Sequence, residues 1–146
     1  MSIVVEKLLV KDFETKYGTN TLGHHRYVEG IHFIDLPVNA STHTRLHELA
    51  HAKLGHGEKD SRLTWKEIID SELSAEIQAW KWKSKELNWR VALSTICMLK
   101  EESKFSKVST LFNLLNNSFS RLGYKLSTKD EKEMWNYLRN SNRRKL

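Results

Sequence analysis

The chain has 146 residues, a single cysteine and a formal net charge of +6. That length suits one domain whose core needs no disulfide, and the lone Cys97 rules out an internal one and fits a reducing compartment. No apolar run approaches a membrane span, and Met1 to Lys7 lacks a basic leader followed by a long apolar core, so the expected location is the cytoplasm.

In chain order, Val5, Leu8, Leu9 and Phe13 stand at helical spacing and predict a short helix over residues 4–17. Residues 18–23 read as a loop. His25 to Val28 and Ile31 to Leu36 predict a β-hairpin turning at Glu29-Gly30, its second strand ended by the only proline, Pro37. Residues 41–54 read as a helix. Ser41 or Thr42 can cap its start, Gly55 can end it, and Leu46, Leu49, Ala50 and Leu54 offer an apolar face. A polar loop follows over 55–62. Thr64 to Glu67 has capping-box form and opens a long helix to about Leu87. Residues 89–101 and 107–121 read as further helices, and Cys97 lies in the apolar run Val91 to Leu99, where a buried inert thiol is expected. Thr128 to Glu131 is a second capping-box pattern, opening a last helix to about Asn140. The expected fold class is α+β: mainly helical, with a small sheet or hairpin at the N-terminal side, over a single domain spanning 1–146.

The helix at 41–54 carries His47-Glu48-Leu49-Ala50-His51, which matches H-E-x-x-H. Residues four apart on a helix lie about 40° apart around the axis, one turn above each other. His47 and His51 can therefore offer two imidazole nitrogens to one metal ion. Glu48 sits about 100° round from His47, beside such an ion rather than on it. There it can take a proton from a water activated by the metal and give it to a leaving amine. The competing explanation is a chance match on an ordinary amphipathic helix. A strand feeding a capped helix is the context that argues against chance.

Two histidines do not hold zinc; a catalytic site wants a third protein ligand and one open position. His56 lies five residues past His51, about 140° round a continuing helix, and is badly placed as a direct ligand. It can still fold back after Gly55 and line the site. Glu72 and Glu76 place two carboxylates one turn apart on the next long helix. Like charges at that spacing repel, and a dication with its histidines would compensate them. One carboxylate would ligate, and the other would accept the N–H of a ligand imidazole. Ala75 and Ala79 leave a smooth stripe for close approach to the motif helix. A solvated acidic face is the alternative.

H-E-x-x-H followed by Glu72-Leu-Ser-Ala75-Glu76-Ile-Gln-Ala79 resembles the ImmA/IrrE-type zinc peptidases, over roughly residues 30–85. The resemblance implies a zincin-like fold with the sheet packed on the H-E-x-x-H helix. It implies Zn2+ held by His47, His51 and Glu72, with Glu76 supporting a ligand histidine and Glu48 as general base and acid. Residues 1–88 would then form the metal-site core and 89–146 a basic helical part. The implied activity is that of a cytosolic endopeptidase, phage- or element-encoded, cutting a specific protein such as a repressor. Oxyanion or substrate helpers are sought among His32, His56 and Tyr124, and the strand Ile31 to Leu36 is read as an edge able to take substrate as an added strand.

Charge is unevenly spread. Residues 1–80 hold 9 Lys and Arg against 12 Asp and Glu, a net −3; residues 81–146 hold 15 against 6, a net +9. The second half therefore allows a rival reading: a non-catalytic metal-binding module that grips nucleic acid or an acidic protein. No nucleic-acid motif accompanies the charge, so a solvated helical surface with a frayed tail at Arg143, Arg144 and Lys145 is favoured. An intact Glu48 also argues for catalysis, because a purely structural site needs no general base.

Overall fold

A computed structural model describes residues 2–19, 21–57, 63–90, 93 and 108–143. Cys97 and the apolar run around it lie outside the described residues, as do Arg144 and Lys145 of the basic tail. The chain divides into two compact units, Met1–Arg62 with Ser74–Leu87, and Leu63–Leu73 with Asn88–Leu146.

The first unit is built on three strands, β1 (Ser2–Leu8), β2 (His24–Val28) and β3 (Ile31–Pro37), in the order β1-β3-β2. β2 and β3 form the expected hairpin, with Val28 opposite Ile31. Its two turn residues, Glu29 and Gly30, have φ of 49° and 79°. Positive φ at both positions is what a two-residue turn needs to match the strand twist. β1 pairs in parallel with the other side of β3, Val5 opposite Ile34. The helix expected over 4–17 is thus a strand followed by a shorter helix, α1 (Val10–Tyr17). The β-branched run Ile3-Val4-Val5 loses side-chain freedom in a helix and fits a pleated surface. A partner strand far along the chain decided between the two.

β3 is therefore the central strand, hydrogen-bonded on both sides. The reading of Ile31 to Leu36 as an edge open to an added strand is corrected: its backbone groups are already used. Alternation puts Ile34 and Leu36 on one face, where they cluster with Ala52 of α2 (Thr42–Lys53), and Asp35 on the other, where it meets Tyr17 of α1.

The motif helix α2 starts as expected. Ser41 is its cap, its side chain accepting from the Thr44 amide at 3.1 Å. It ends at Gly55, with φ of 73°. The Gly55 amide bonds to the Ala52 carbonyl at 3.1 Å and the His56 amide to the His51 carbonyl at 3.0 Å, a Schellman closure that turns the chain back on itself. The expected apolar face is buried only in part: Ala50 has no exposure and Leu49 packs against the Ile34, Leu36 and Ala52 cluster. Leu46 and Leu49 are half-buried and Leu54 is 43% exposed, while His47, Glu48, Ala50, His51 and Ala52 face inward. The helix buries its chemistry and leaves Leu54 outside.

α3 (Trp65–Trp82) runs through both units, passing from one to the other between Leu73 and Ser74. Its capping box forms as read: the Glu67 amide bonds to Thr64 Oγ1 at 3.2 Å and the Thr64 amide to Glu67 Oε1 at 3.2 Å. It stops at Trp82, short of the expected Leu87. Ser84 takes a left-handed φ of 54°, and the Ser84 and Lys85 amides close on the carbonyls of Lys81 and Trp80. This is the same closure as at Gly55, hidden because serine stands where glycine usually does.

In the second unit, α4 (Val108–Arg121) and α5 (Thr128–Arg143) pack on each other. Leu111, Leu115 and Phe119 of α4, and Met134 and Leu138 of α5, are almost wholly buried. The last helix is capped one residue earlier than expected. Ser127 Oγ accepts from the Asp130 amide at 3.1 Å, so the cap is Ser127 rather than Thr128. Trp89 and Arg90 bond to Asp130 and Glu133 at 3.3 and 2.6 Å. Of the helix expected over 89–101, only Trp89, Arg90 and Leu93 are described, and they are helical.

Candidate metal centre

All seven histidines of the chain fall between residues 24 and 56. The strand pair and α2 gather most of them. On α2 the four-residue spacing brings His47 Nε2 and His51 Nε2 to 3.1 Å from each other, with both rings almost fully buried. Glu72, half-buried, joins them: one ligand atom from each of His47, His51 and Glu72 lies within 4.8 Å of the others. It stands one turn before Glu76 on the unbroken helix α3.

A metal held at about 2.0–2.1 Å by tetrahedral ligands wants its donor atoms a little over 3 Å apart. The paired imidazole nitrogens meet that spacing, so the group can hold a metal ion. Proton placement supports the same reading. His47 Nδ1 lies 2.5 Å from Glu76 Oε1. A carboxylate only accepts, so His47 carries its proton on Nδ1 and leaves the Nε2 lone pair facing His51.

Glu76 is only 1% exposed. Burial alone would raise its pKa, but the hydrogen bond and charge of His47, then those of His43, outweigh it and hold the carboxyl below its usual range. His43 Nε2 lies 3.1 Å from both carboxylate oxygens, and Trp80 Nε1 donates to Oε2 at 3.1 Å. The acidic pair is thus no solvated face: one carboxylate joins the donor cluster and the other anchors His47. The stripe beside them is closed too, Ala75 and Ala79 having no exposure.

Glu48 is 9% exposed and neighbours His47 in the chain. Its Cγ comes so close to Gly23, at the start of β2, that a Cβ there would stand 3.0 Å away; Thr44 and Leu36 crowd the same point. Gly23 is the opening that seats the general-base candidate.

The three helper candidates fare differently. His56 folds back through the Gly55 closure, its Nδ1 2.9 Å from His51 Nδ1 and its Nε2 3.3 Å from Ser74 Oγ. It touches His51 on the nitrogen opposite the donor cluster, so it orients that ring rather than adding to the ligands. His32 is buried on β3, 2.7 Å from His25 Nε2. His25 in turn stacks on His51, ring centroids 5.9 Å apart. Burial, and then the imidazoles of His51, His32, His24 and His56, push His25 down to about 4; burial is also the main cause lowering His32. Tyr124 belongs to the second unit, where it follows the Gly123 closure of α4 and packs on Phe119 at 5.4 Å, a cap contact.

Sequence reasoning missed His43, Trp80, Lys83, His25, Gly23 and Asp35. His43 alone carried a signal: it stands four residues before His47, so His43, His47 and His51 share one helix stripe. The wholly buried Asp35 gave none. It is held by Arg26 at 2.7 and 3.0 Å and by the Tyr17 hydroxyl, on the sheet face opposite α2.

Comparison of the chain with protein-family models, curated proteins and solved structures finds no match.

Proposed function

We propose that the protein is a zinc-dependent endopeptidase of the ImmA/IrrE type, working in the cytoplasm. The observation that carries the reading is the His47, His51 and Glu72 donor group with Glu48 beside it on the same helix. Two imidazoles and a carboxylate are a donor set that suits zinc and leaves a position open.

His47, His51 and Glu72 would hold the ion, and Glu76 and His56 orient the two imidazoles from behind. Bound there, zinc would polarise a scissile carbonyl and make water acidic enough to attack near neutral pH. Glu48 accepts the proton released by the attacking water and passes it to the leaving amine nitrogen. The substrate class is a protein or peptide, with a transcriptional repressor the choice that the family resemblance suggests.

The test is metal content and proteolysis measured together. Wild type should carry one zinc and cleave an unfolded protein substrate, chelator should abolish cleavage, and zinc should restore it. Glu48→Gln should keep its zinc and melting temperature and lose activity by two orders of magnitude or more, roughly the size of a general-base contribution. Loss of zinc in Glu48→Gln would show that Glu48 holds the ion, and the scheme would fall.

A further inference from the structure

We propose that Lys83 and His43 are positioning residues that act through Glu76 to fix the orientation of His47; the inference rests on the metal-site reading. Lys83 Nζ lies 3.1 Å from His43 Nδ1. An ammonium has only donors, so His43 Nδ1 accepts and its proton sits on Nε2. That nitrogen points between the two oxygens of Glu76, 3.1 Å from each. Glu76 Oε1 accepts in addition from His47 Nδ1 at 2.5 Å. The order is one-directional: Lys83 donates to His43, His43 and His47 both donate to Glu76, and His47 Nε2 is left with its lone pair facing His51. The opposite tautomer of His43 would set an N–H against the ammonium and a lone pair against the carboxylate, unfavourable at both ends.

The cluster is braced on Trp80. Its indole N–H donates to Glu76 Oε2, and Lys83 Nζ sits 4.5 Å from its ring centroid, a cation–π contact. With three N–H donors converging on it, Glu76 cannot rotate away from His47. His43 and Lys83 are only half-buried, so they can be replaced without opening the core. Lys83 follows directly on the last turn of α3, where a cation also favours the helix dipole.

The experiment uses the full chain and zinc itself, titrated against a chromophoric chelator, with melting temperatures to show that each variant folds. His43→Ala should weaken zinc binding by about 10–100-fold and Lys83→Met by about tenfold, the usual cost of losing a partner behind a ligand. His43→Gln, whose amide can accept from Lys83 and donate to Glu76, should recover most of the affinity. The cobalt-loaded form should show an altered visible spectrum in His43→Ala and a near-native one in His43→Gln. In the metal-free protein, long-range proton–nitrogen correlation should report His43 protonated on Nε2 and His47 on Nδ1. Zinc affinity unmoved in both His43→Ala and Lys83→Met, or a His43 proton found on Nδ1, would overturn the positioning role. Failure of wild type to bind zinc better than His47→Ala would overturn the metal-site reading instead, and the tautomers would still report on the chain of hydrogen bonds.

Discussion

At the scale of single residues, small and buried groups decide how the candidate site is held. Gly23 has no side chain because Glu48, Thr44 and Leu36 occupy the space. Gly23→Ala forces those atoms apart, and overpacking of this kind costs about 1–3 kcal/mol. The expected outcome is a lower melting temperature together with a larger loss of the proposed peptidase activity, since Glu48 itself is displaced; retained stability and activity would show that the neighbourhood yields freely. Asp35 behaves differently. Burial would raise its pKa, but the bonds from Arg26 and Tyr17 and the charges of Arg26 and Lys16 outweigh that and depress it. A carboxyl with a folded pKa below its unfolded one stabilises the fold above the unfolded value and loses that contribution as pH falls through the folded value. Asp35 should therefore contribute fully near neutral pH and weaken the fold below its ordinary value of 3.8. Asp35→Asn removes the buried charge that faces Arg26, leaving it the longer 3.3 Å contact with Glu6, and should cost about 1–3 kcal/mol at pH 7. Chemical denaturation at pH 7 and pH 3 checks both statements, because the difference between wild type and variant should shrink at the lower pH.

At the scale of elements, helix ends carry the information that shapes the site. The closure at Gly55 brings His56 back onto His51, and the closure at Ser84 ends α3 directly after Lys83. Serine in the left-handed region is strained by roughly 1–2 kcal/mol relative to glycine, which is partly offset by the greater chain entropy glycine must lose. Ser84→Gly should accordingly stabilise the protein by about 1 kcal/mol and leave zinc binding unchanged. Denaturant midpoints measure the first and chelator competition the second; destabilisation would mean that the serine side chain does something beyond occupying the turn. The sheet shows the same dependence on partners. β1 exists as a strand because β3 offers it an edge, and β3 ceases to be an edge for that reason.

At the scale of the whole molecule, ion binding and folding are linked. An unfolded chain cannot bring His47, His51 and Glu72 together, so an ion bound only by the folded state stabilises it by mass action. At a free zinc concentration a hundredfold above Kd the gain is about 2.7 kcal/mol, or roughly 5–10 °C in Tm for a chain of this size. Thermal unfolding with zinc and with chelator should differ by that amount in wild type and should coincide in His47→Ala. Equal shifts in both proteins would place the binding elsewhere. The basic half of the chain makes a separate statement about surface charge. Neutralising Lys81 and Lys85, both exposed, should leave zinc content intact.

Local rules made much of this protein legible from sequence. The hairpin turn, the Ser41 and Thr64 caps and the spacing of His47, Glu48 and His51 depend on residues within one turn of each other, and each forms as its chemistry dictates. Glu72 and Glu76 could be named as a pair, but spacing alone left open which ligates and which supports. What escaped depends on partners distant in the chain. A strand at residues 2–8 needs β3; the burial of His47 and Glu48 in place of Leu46 and Leu54 needs a sheet that accepts polar groups; Asp35 needs Tyr17 and Arg26. Lys83 needs His43, forty residues away in the chain. Sequence by itself determined the donor types and their helical spacing. Only tertiary structure decided which face of α2 is buried and which groups stand behind the donors, because those choices balance desolvation against hydrogen bonds made across the fold.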